Sequence, residues 1–396
     1  MGIFSGNRKK DELVLVFDIG SSSVGGAFFV AQKSGVPKVI KTFSEPIVMK
    51  ESVDASKFMS SALKSLETVA KNAFDVKLGA PSKIFCILGS PWHISQTRVI
   101  NFEKNTPFVF TSKFADDLIQ KEINLFKADY LLKYKSTEEK VRLIELQIIK
   151  TMLNGYETPQ PLGQKVTELE MAVFLSLSEE QVLKKIEDTI NINFNIKNIK
   201  FCSFLLSSFV AVRDAYINQE NFLLIDISGE MTDIAMAKKN TLRESVSFPL
   251  GFNFIVRGVA TALGSSFDEA KSFIALLKDG HATVEMAKKI DPIINKLQME
   301  WLVKFQESLA NLSNDISIPS TIFMVVERDL ADFFRHTIEI EQFNQYTLTE
   351  SKFKVILLGT EVFHDKVIVE KNVNYDLSCV IDAIYINSFL STSSKR

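Results

Sequence analysis

The sequence predicts an α/β protein of two lobes, with a small α+β subdomain inserted in the first. An apolar run ends at Asp18 and continues into a small polar turn. A second such run, Phe222–Ile225, ends at Asp226 and is followed by a similar turn. The chain has 396 residues and is 46% hydrophobic, which is enough to bury more than one core. The repeated strand-turn-strand pattern therefore favours two duplicated lobes that face each other.

Composition excludes several classes of function. The formal net charge is -2 and no basic stripe occurs, so a nucleic-acid partner is not expected. No apolar run approaches the roughly 18 residues of a bilayer span, and Leu13–Phe17 is too short for a signal sequence. We therefore expect a cytoplasmic protein. The cysteines and histidines show no metal-ligand spacing, which favours buried, reduced thiols at Cys86, Cys202 and Cys379.

The two turns suit a magnesium nucleotide held between the lobes. Backbone N–H groups of such turns bind phosphate oxygens, and acids at the strand ends hold Mg²⁺ through water. We therefore predict Asp18 and Asp226 as the carboxylates that orient the metal. Ordinary hairpins with turn-forming residues are the alternative for either motif alone. The predicted phosphate-lining residues are Gly20, Ser21, Ser22, Ser23, Gly229 and Thr232.

These segments resemble a known superfamily. The stretch from Phe17 to Val24 is similar to the first phosphate motif of actin, hexokinase and the heat-shock chaperones, and Asp226 to Ala235 is similar to the second. Residues 153–171 and 249–278 resemble the bacterial cell-division protein FtsA and the pilus protein PilM. The resemblance implies a two-lobed actin-like (ribonuclease-H-like duplicated) fold. It also implies nucleotide contacts from Ser228, Gly251, Glu269 and Lys271.

The resemblance implies a division of the chain into domains. An FtsA-type subdomain, which helps subunits polymerise in that family, is expected in the first lobe. The predicted parts are a basic tail (1–12), the first lobe (13–85 with 171–218), the inserted subdomain (86–170), the second lobe (219–256 with 284–390), a reduced adenine-side subdomain (257–283) and a terminal tail (391–396).

Departures from the family pattern predict a weakened cleft. Ser228 and Glu230 replace glycines of the second phosphate loop, where a Cβ crowds phosphate and a carboxylate repels it. Gly25 stands where the family has a lysine. No acid or amide follows the strand before Cys202 and Ser203, where relatives orient the attacking water. We expect no catalytic residue and a pseudo-ATPase, with weak ATP and Mg²⁺ binding or hydrolysis as the alternative.

The position of the adenosine loop has two candidates in the sequence. The longest helical pattern runs from about Asp291 to Leu312. Residues 324–328 lie between this helix and the next one, as the family requires, but lack glycine. Residues 357–360 keep one glycine and come late in the chain. The order of elements favours the first placement, at 325–328, over the second.

Two scaffold functions follow from the resemblance. The first is an FtsA-like protein of cell division that recruits an FtsZ-like tubulin homologue at the cytoplasmic membrane face and assembles into filaments. The second is a PilM-like adaptor that binds the tail of an inner-membrane protein of type IV pilus assembly in a groove. A sugar or acetate kinase of the same superfamily lacks the required base here. Peripheral membrane contact by either chain end is an alternative to solvated tails.

Overall fold

The structure is a computed structural model that describes residues 12–32, 35–51, 54–134, 140–196, 198–312, 317–340 and 352–393. The predicted basic tail before Glu12 and the end of the terminal tail lie outside the described residues. The strands are β1 (Glu12–Ile19), β2 (Ser23–Ala31), β3 (Lys38–Pro46), β4 (Lys83–Leu88), β5 (Ile94–Val109), β6 (Val141–Leu153), β7 (Tyr156–Glu157), β8 (Lys165–Glu179), β9 (Ile199–Ser203), β10 (Phe222–Ile227), β11 (Thr232–Lys238), β12 (Thr241–Phe248), β13 (Thr321–Val326), β14 (Lys354–Leu357) and β15 (Ile368–Val369).

Helices cover the sheets that these strands form. They are α1 (Ala55–Asp75), α2 (Ser112–Tyr134), α3 (Glu180–Asn191), α4 (Phe204–Ala215), α5 (Phe252–Leu263), α6 (Phe267–Lys278), α7 (Val284–Leu312), α8 (Arg328–Ile340) and α9 (Leu377–Ser393), with a 3₁₀ turn at Thr360–Phe363.

The first lobe is built on a six-stranded sheet in the order β15-β3-β2-β1-β4-β9. Strands β1 and β2 form the predicted antiparallel hairpin, and β4 and β9 continue the sheet in parallel with β1. Alternate side chains of β1 point to opposite faces, as strand geometry requires. Leu15 and Phe17 pack against α1 and α3, and Val14 and Val16 pack against α4 and α9.

The second lobe repeats this arrangement. Its five-stranded sheet has the order β12-β11-β10-β13-β14, which matches β3-β2-β1-β4-β9 of the first lobe. Helices α5, α7 and α8 cover one face. The other face joins the core that contains α4, where Phe209 stacks on Phe222 with ring centroids 6.1 Å apart. Helix α4 therefore packs between the two sheets. Asp18 and Asp226 occupy equivalent positions, each one residue before the end of its strand.

The inserted subdomain is a four-stranded antiparallel sheet in the order β5-β8-β6-β7, with α2 on one face. Its strands run from Ile94 to Glu179, so its bounds differ from the predicted 86–170. Residues 86–88 belong to β4 of the first sheet, and β8 continues to Glu179 because both of its faces are buried. The subdomain also contacts the second lobe, since Thr97 Oγ1 donates to the Leu242 carbonyl at 3.1 Å.

Helix α9 corrects the predicted assignment of residues up to 390 to the second lobe. It packs on β1, β2 and α4, and Ile381 and Ile386 are fully buried there. Asn387 Oδ1 accepts a hydrogen bond from the backbone N–H of Gln32 at 2.7 Å. Helix α9, at the end of the described chain, therefore belongs to the first lobe. The remaining domain boundaries stay predictions.

Within the part of the chain that the structure describes, no helix is both long enough and apolar enough to cross a membrane. The three cysteines are buried and unpaired, as predicted.

Candidate functional site

A cavity of about 640 Å³ opens between the two lobes. Its walls are the strand ends of β1, β10 and β13, the turns that follow them, and the start of α9. This is where the duplicated strand-turn-strand units were expected to meet, and it contains six of the twelve predicted site residues. These six are Asp18, Gly20, Ser22, Ser23, Asp226 and Ser228.

The first turn spans Gly20 to Ser22 between β1 and β2. Its Gly20 N–H donates to the Ser23 carbonyl at 3.2 Å, which closes the turn on itself. Trp92 holds the turn from outside, because its Nε1 donates to the Gly20 carbonyl at 2.8 Å. Ser22 and Ser23 face the cavity, whereas Ser21 is buried and points to the second lobe.

The second turn lies directly against the first. Ser21 Oγ donates to Ser228 Oγ at 2.9 Å, and the Ser21 N–H contacts the same oxygen at 3.4 Å. A Cβ at Gly229 would come within 2.6 Å of the Ser21 carbonyl oxygen, and a Cβ at Gly251 within 2.2 Å of the Ser228 carbonyl oxygen. Only glycine permits these approaches. Gly229 therefore brings the second turn against the first, Gly251 brings the start of α5 against the second turn, and neither glycine lines the cavity.

Glu230 does not occupy the position that the sequence predicted. Its carboxylate points away from the cavity and pairs with Arg257, whose Nη1 lies 2.9 Å from Oε1 and whose Nη2 makes a second contact with Oε2. Asn253 Nδ2 donates to the same Oε1 at 2.8 Å. The predicted repulsion between Glu230 and phosphate is therefore wrong, because a buried guanidinium neutralises this carboxylate.

Three other predicted residues lie outside the cavity wall. Thr232 is fully buried, and its Oγ1 donates to the Leu250 carbonyl and accepts from Trp301 Nε1. Glu269 forms a capping box with Ser266 at the start of α6, which also lowers the pKa of its carboxyl. Lys271 lies near Glu327, a cavity residue: burial raises the pKa of the Glu327 carboxyl, and the charge of Lys271 offsets part of that rise.

Carboxylates dominate the cavity wall. Burial raises the pKa of Asp18 to about 8, with a further contribution from the charge of Asp376 and an opposing hydrogen bond from Ser378. Burial also raises the pKa of Asp226 well above its ordinary value, and the charges of Asp233 and Asp18 add to the effect. Asp376 has a raised pKa for the same reason. Asp18, Asp226 and Asp376 therefore lie close enough for the charge of one to raise the pKa of another, and no basic side chain among the described residues lines the cavity with them.

Sequence reasoning missed the wall contributed by the start of α9. Tyr375, Asp376 and Ser378 line the cavity although they lie more than 300 positions from Asp18 in the chain. The available signal was local: an aspartate directly before an apolar helical run is a typical helix-capping residue. Asp376 does cap α9, because its Oδ1 accepts from the Cys379 N–H at 3.0 Å.

Both candidate adenosine loops line the same cavity. Val325 to Glu327 comprises the end of β13 and the residue after it, and Leu358 to Thr360 follows β14, which pairs in parallel with β13. Parallel neighbours end at the same edge of a sheet, so the two segments are adjacent. They are two parts of one wall, and the placement of the adenosine loop at 325–328 stays a prediction.

The position expected to orient an attacking water is occupied differently. Ser203 caps α4, and its Oγ donates to Glu145 Oε2 at 2.7 Å. Glu145 comes from β6 of the inserted sheet, also accepts from the Tyr385 hydroxyl, and is buried away from the cavity. Burial raises the pKa of this carboxyl. Phe204 is the residue at this end of β9 that faces the cavity.

The residues fit a magnesium nucleotide only in part. Asp18 and Asp226 converge as metal-orienting acids would. However, no lysine, arginine or histidine among the described residues lines the cavity, and several turn N–H groups donate within the protein. Ser228 N–H donates to Met231, and Glu230 N–H donates to Ser21 Oγ at 2.9 Å. The described residues also include no group of three or more potential ligands able to hold a metal ion. These N–H groups would have to change partners before they could bind phosphate oxygens.

Comparison with known proteins gives the fold independent support. The chain is similar to the solved PilM-PilN type IV pilus biogenesis complex, with a TM-score of 0.60 and 12% identity over 97% of this chain and 98% of that one. The fold is actin-like. Other similar structures are a MamK double helical filament (TM-score 0.43, 10% identity, 95% and 98% covered) and a Bacteroides thetaiotaomicron protein with an actin-like ATPase fold and unknown function (0.36, 10%, 98% and 99%). No family model and no curated protein matches the sequence.

Proposed function

We propose that this chain is a PilM-like adaptor, a non-hydrolysing actin-like scaffold that binds an extended segment of a membrane-anchored pilus protein at the cytoplasmic membrane face. Two observations support it. The structural likeness to the PilM-PilN complex extends over nearly the whole of both chains. A second groove, separate from the interlobe cavity, has the size and lining that a peptide requires. This groove carries the proposal.

The groove has a volume of about 540 Å³ and lies where the inserted subdomain meets the first lobe. Apolar side chains such as Phe58, Met59 and Val182 form its floor. Polar groups at its rim, including Gln181 and Lys185, can fix the direction of a bound chain. An extended peptide would bury its apolar side chains on this floor and pair its polar groups at the rim.

The groove is connected to the interlobe cavity through Trp92. The indole stacks on Phe58 in the groove, with ring centroids 5.0 Å apart and an interplanar angle of 2°. Its Nε1 donates to Gly20 in the first turn. Glu230 and Met231 of the second turn also line the groove. A peptide in the groove would therefore lie against residues of the second turn and against the tryptophan that contacts the first turn. An adaptor could use these contacts to couple the groove to the cavity.

The adaptor proposal is tested by titrating the full chain with the cytoplasmic tail peptide of the inner-membrane pilus protein encoded nearest to it. We expect saturable binding that Met59→Glu weakens at least tenfold, because the new carboxylate would be buried without a partner on the groove floor. Lys185→Glu reverses a rim charge and leaves the core intact, so its weaker binding would be a second indication.

Val284→Glu is the matched control, since Val284 is 71% exposed on α7 and does not line the groove. Equal binding by Met59→Glu, Lys185→Glu and this control would place the peptide elsewhere and contradict the proposed groove. No binding of any pilus tail would contradict the adaptor function itself.

A scaffold of cell division is the second candidate. The observation in its favour is the α+β subdomain between β4 and β9 of the first sheet, the kind of insertion through which FtsA-type proteins assemble. Co-sedimentation with an FtsZ-like protein, and sedimentation of the chain alone for filaments, separate it from the adaptor. A chain that neither self-associates nor sediments with the FtsZ-like protein is not a division scaffold.

A further inference from the structure

We propose that His93 selects a serine or threonine in the segment bound by the groove, through a hydrogen bond between its imidazole ring and the side-chain hydroxyl. The inference rests on the proposed adaptor groove and names a chemical feature of its occupant. It assigns a role to a buried side chain whose hydrogen bonding the protein itself leaves incomplete.

The first argument is an unused hydrogen-bonding atom in the wall of the groove. His93 lines the groove and is only 8% exposed. Its Nδ1 is buried and has no hydrogen-bond partner among the described residues. A buried polar atom without a partner is costly, so a partner supplied by the occupant would favour binding.

The neighbouring polar side chains of the groove, in contrast, already have partners within the protein. Ser178 Oγ donates to the Trp92 carbonyl at 2.7 Å. The Tyr130 hydroxyl donates to Glu179 Oε1, also at 2.7 Å. These side chains would have to exchange a hydrogen bond of the fold for one to the occupant, whereas Nδ1 of His93 gains a hydrogen bond without losing one.

The backbone around His93 is fixed, and the ring can still change its orientation. The Trp92 N–H donates to the Gly89 carbonyl at 3.0 Å, and Ile94 pairs with Leu177 at the start of β5. A half-turn of the ring about χ2 exchanges the positions of Nδ1 and Cδ2. Because Nδ1 has no partner in the described part of the chain, this turn breaks no hydrogen bond of that nitrogen. The ring can therefore direct a nitrogen towards the occupant.

The charge state of His93 favours a hydroxyl group as its partner. Burial lowers the pKa of the imidazole to about 4, against an opposing contribution from the Gly89 backbone. The ring is therefore neutral at neutral pH, with one nitrogen that donates and one that accepts. A hydroxyl group both donates and accepts, so it can pair with whichever nitrogen faces it.

Other polar side chains of an occupant fit this position less well. The carboxylates of Glu179 and Glu230 also line the groove and disfavour an acidic side chain. They offer little to a basic one, because Glu230 is paired with Arg257 and Glu179 accepts from a tyrosine hydroxyl. A carboxamide has two donors and an acceptor, more than one imidazole nitrogen can satisfy. Threonine has the further advantage of favouring an extended chain.

The experiment measures binding of the full chain to a positional-scanning library of short synthetic peptides with blocked ends. We expect the protein to prefer serine and threonine at one position. Replacing the selected hydroxyl residue by alanine should weaken binding about tenfold, since one buried hydrogen bond is lost. In His93→Phe, which keeps an aromatic ring without a nitrogen, the same replacement should change the affinity less than about twofold.

Two further variants keep the test decisive. His93→Asn retains a hydrogen-bonding atom near the place of Nδ1 and should recover part of the preference. His93→Leu replaces His93→Phe if the aromatic substitution impairs folding. The matched control is His336→Phe, because it removes an imidazole from an exposed position on α8 outside the groove, and it should keep the full preference.

The absence of a hydroxyl preference at every position would overturn the inference, and so would an equal preference in His93→Phe. Equal weakening of the hydroxyl and alanine peptides by His93→Phe would show only a structural role for His93 and would also overturn it. The titration with the pilus tail peptide separates these failures from failure of the adaptor function. A tail that binds without a hydroxyl preference supports the adaptor alone, and a hydroxyl-selective groove that binds no pilus tail contradicts the adaptor alone.

Discussion

Ser228 and Glu230 stand where the family resemblance predicts glycine, and each side chain has a specific partner. Ser228 bonds to Ser21 of the opposite lobe, and Glu230 pairs with Arg257 on α5. Both substitutions therefore add a contact inside the protein. The Glu230–Arg257 pair is largely buried, with side-chain exposures of 8% and 16%. Such a pair adds little net stability, but removal of one member is costly because the other charge is left buried and unpaired.

Replacing Arg257 by alanine should lower the free energy of unfolding by about 3 kcal/mol, because it leaves the Glu230 carboxylate buried and unpaired. Glu230→Gly should also destabilise the protein and should not create MgATP binding. Urea unfolding of the two single variants and the double variant measures the coupling between the side chains. Tighter MgATP binding by Glu230→Gly would show that the Glu230 carboxylate does repel phosphate, and would contradict its neutralisation by Arg257.

The acids of the cavity make stability dependent on pH. The pKa of Asp18 is about 8 in the folded protein and 3.8 ordinarily, so between these values the folded state holds a proton that the unfolded state has lost. Stability should therefore fall as pH rises through this window, by at most about 1.4 kcal/mol per pH unit for this group. Urea unfolding from pH 5 to 9 measures the slope.

The substitution Asp18→Asn should flatten this dependence of stability on pH. The control Asp117→Asn, which removes a carboxylate from an exposed position on α2, should not. Four groups face Asp18 and share the effect: Asp226 from β10, and Asp376, Cys379 and Asp382 from α9 or its start. The slope should therefore decrease and not vanish. An unchanged slope in Asp18→Asn would mean that this carboxyl is ionised throughout the window.

At the scale of elements, α9 contributes to both the core of the first lobe and the interlobe cavity. Although it is the last helix of the described chain, it supplies a layer of the core and a wall of the cavity. The sequence leaves two interpretations of residues 385–396, a last helix of the lobe with a frayed tail or a weak membrane anchor, and α9 is a helix packed on the lobe. Ile381 and Ile386 are fully buried, so this side of α9 is not available to a bilayer.

Shortening a side chain on the buried side of α9 should therefore be costly. Ile386→Ala should lower the free energy of unfolding by about 2 to 5 kcal/mol through lost burial and the cavity it leaves. Ile368→Ala removes the same atoms at a position that is 48% exposed and should cost much less. Thermal and urea unfolding measure both, and similar values for the two variants would contradict the core position of α9.

Elements with a strong local pattern could be predicted from the sequence, and contacts between distant segments could not. The β1–β2 and β10–β11 hairpins follow from apolar runs that end at an aspartate and a small polar turn. Helix α6 begins where Ser266 is followed three residues later by Glu269, and these two residues form its capping box. The long helix was predicted from Asp291, where Pro292 favours a start, but α7 begins at Val284 and continues through the proline. Burial of Ile290 and Ile294 on both sides of Pro292 accounts for the continuous helix.

The candidate site shows the same limit. Asp18 and Asp226 were predictable because each ends its own strand. The direction of the Glu230 side chain depends on Arg257, one helix later in the chain, and the cavity wall at Asp376 depends on α9 returning to the first lobe. Neither relation leaves a periodic pattern in the sequence, so residue types alone could not reveal them.

At the scale of the whole molecule, hydrogen bonds join the lobes across the base of the cavity. Ser21 bonds to Ser228, and Ser90 Oγ donates to Asp233 Oδ1 at 2.8 Å. The inserted subdomain adds a third connection, because Ser245 Oγ on β12 donates to the Ser95 carbonyl on β5 at 3.2 Å. The lobes are thus held together by hydrogen bonds within the protein itself.

Ser228→Gly should loosen this connection. The variant restores the glycine of the family pattern and removes the hydroxyl that bonds to Ser21. We expect faster amide hydrogen exchange in residues 20–23 and 228–231, while exchange in the β5–β8 pairing stays unchanged as an internal reference. Unchanged protection of both turns would show that the glycine contacts alone hold the lobes together.

The position of Trp92 allows ligand binding to be followed by intrinsic tryptophan fluorescence. The chain contains two tryptophans, and Trp301 is fully buried in the second lobe between Phe248 and Phe305. Trp92, in contrast, touches the groove with its ring face and the first turn with its N–H. Emission from a Trp301→Phe protein would therefore report a ligand arriving on either side of this indole. If the emission shift caused by one ligand changes when the other ligand is also bound, the two sites are coupled. No added label is needed for this measurement.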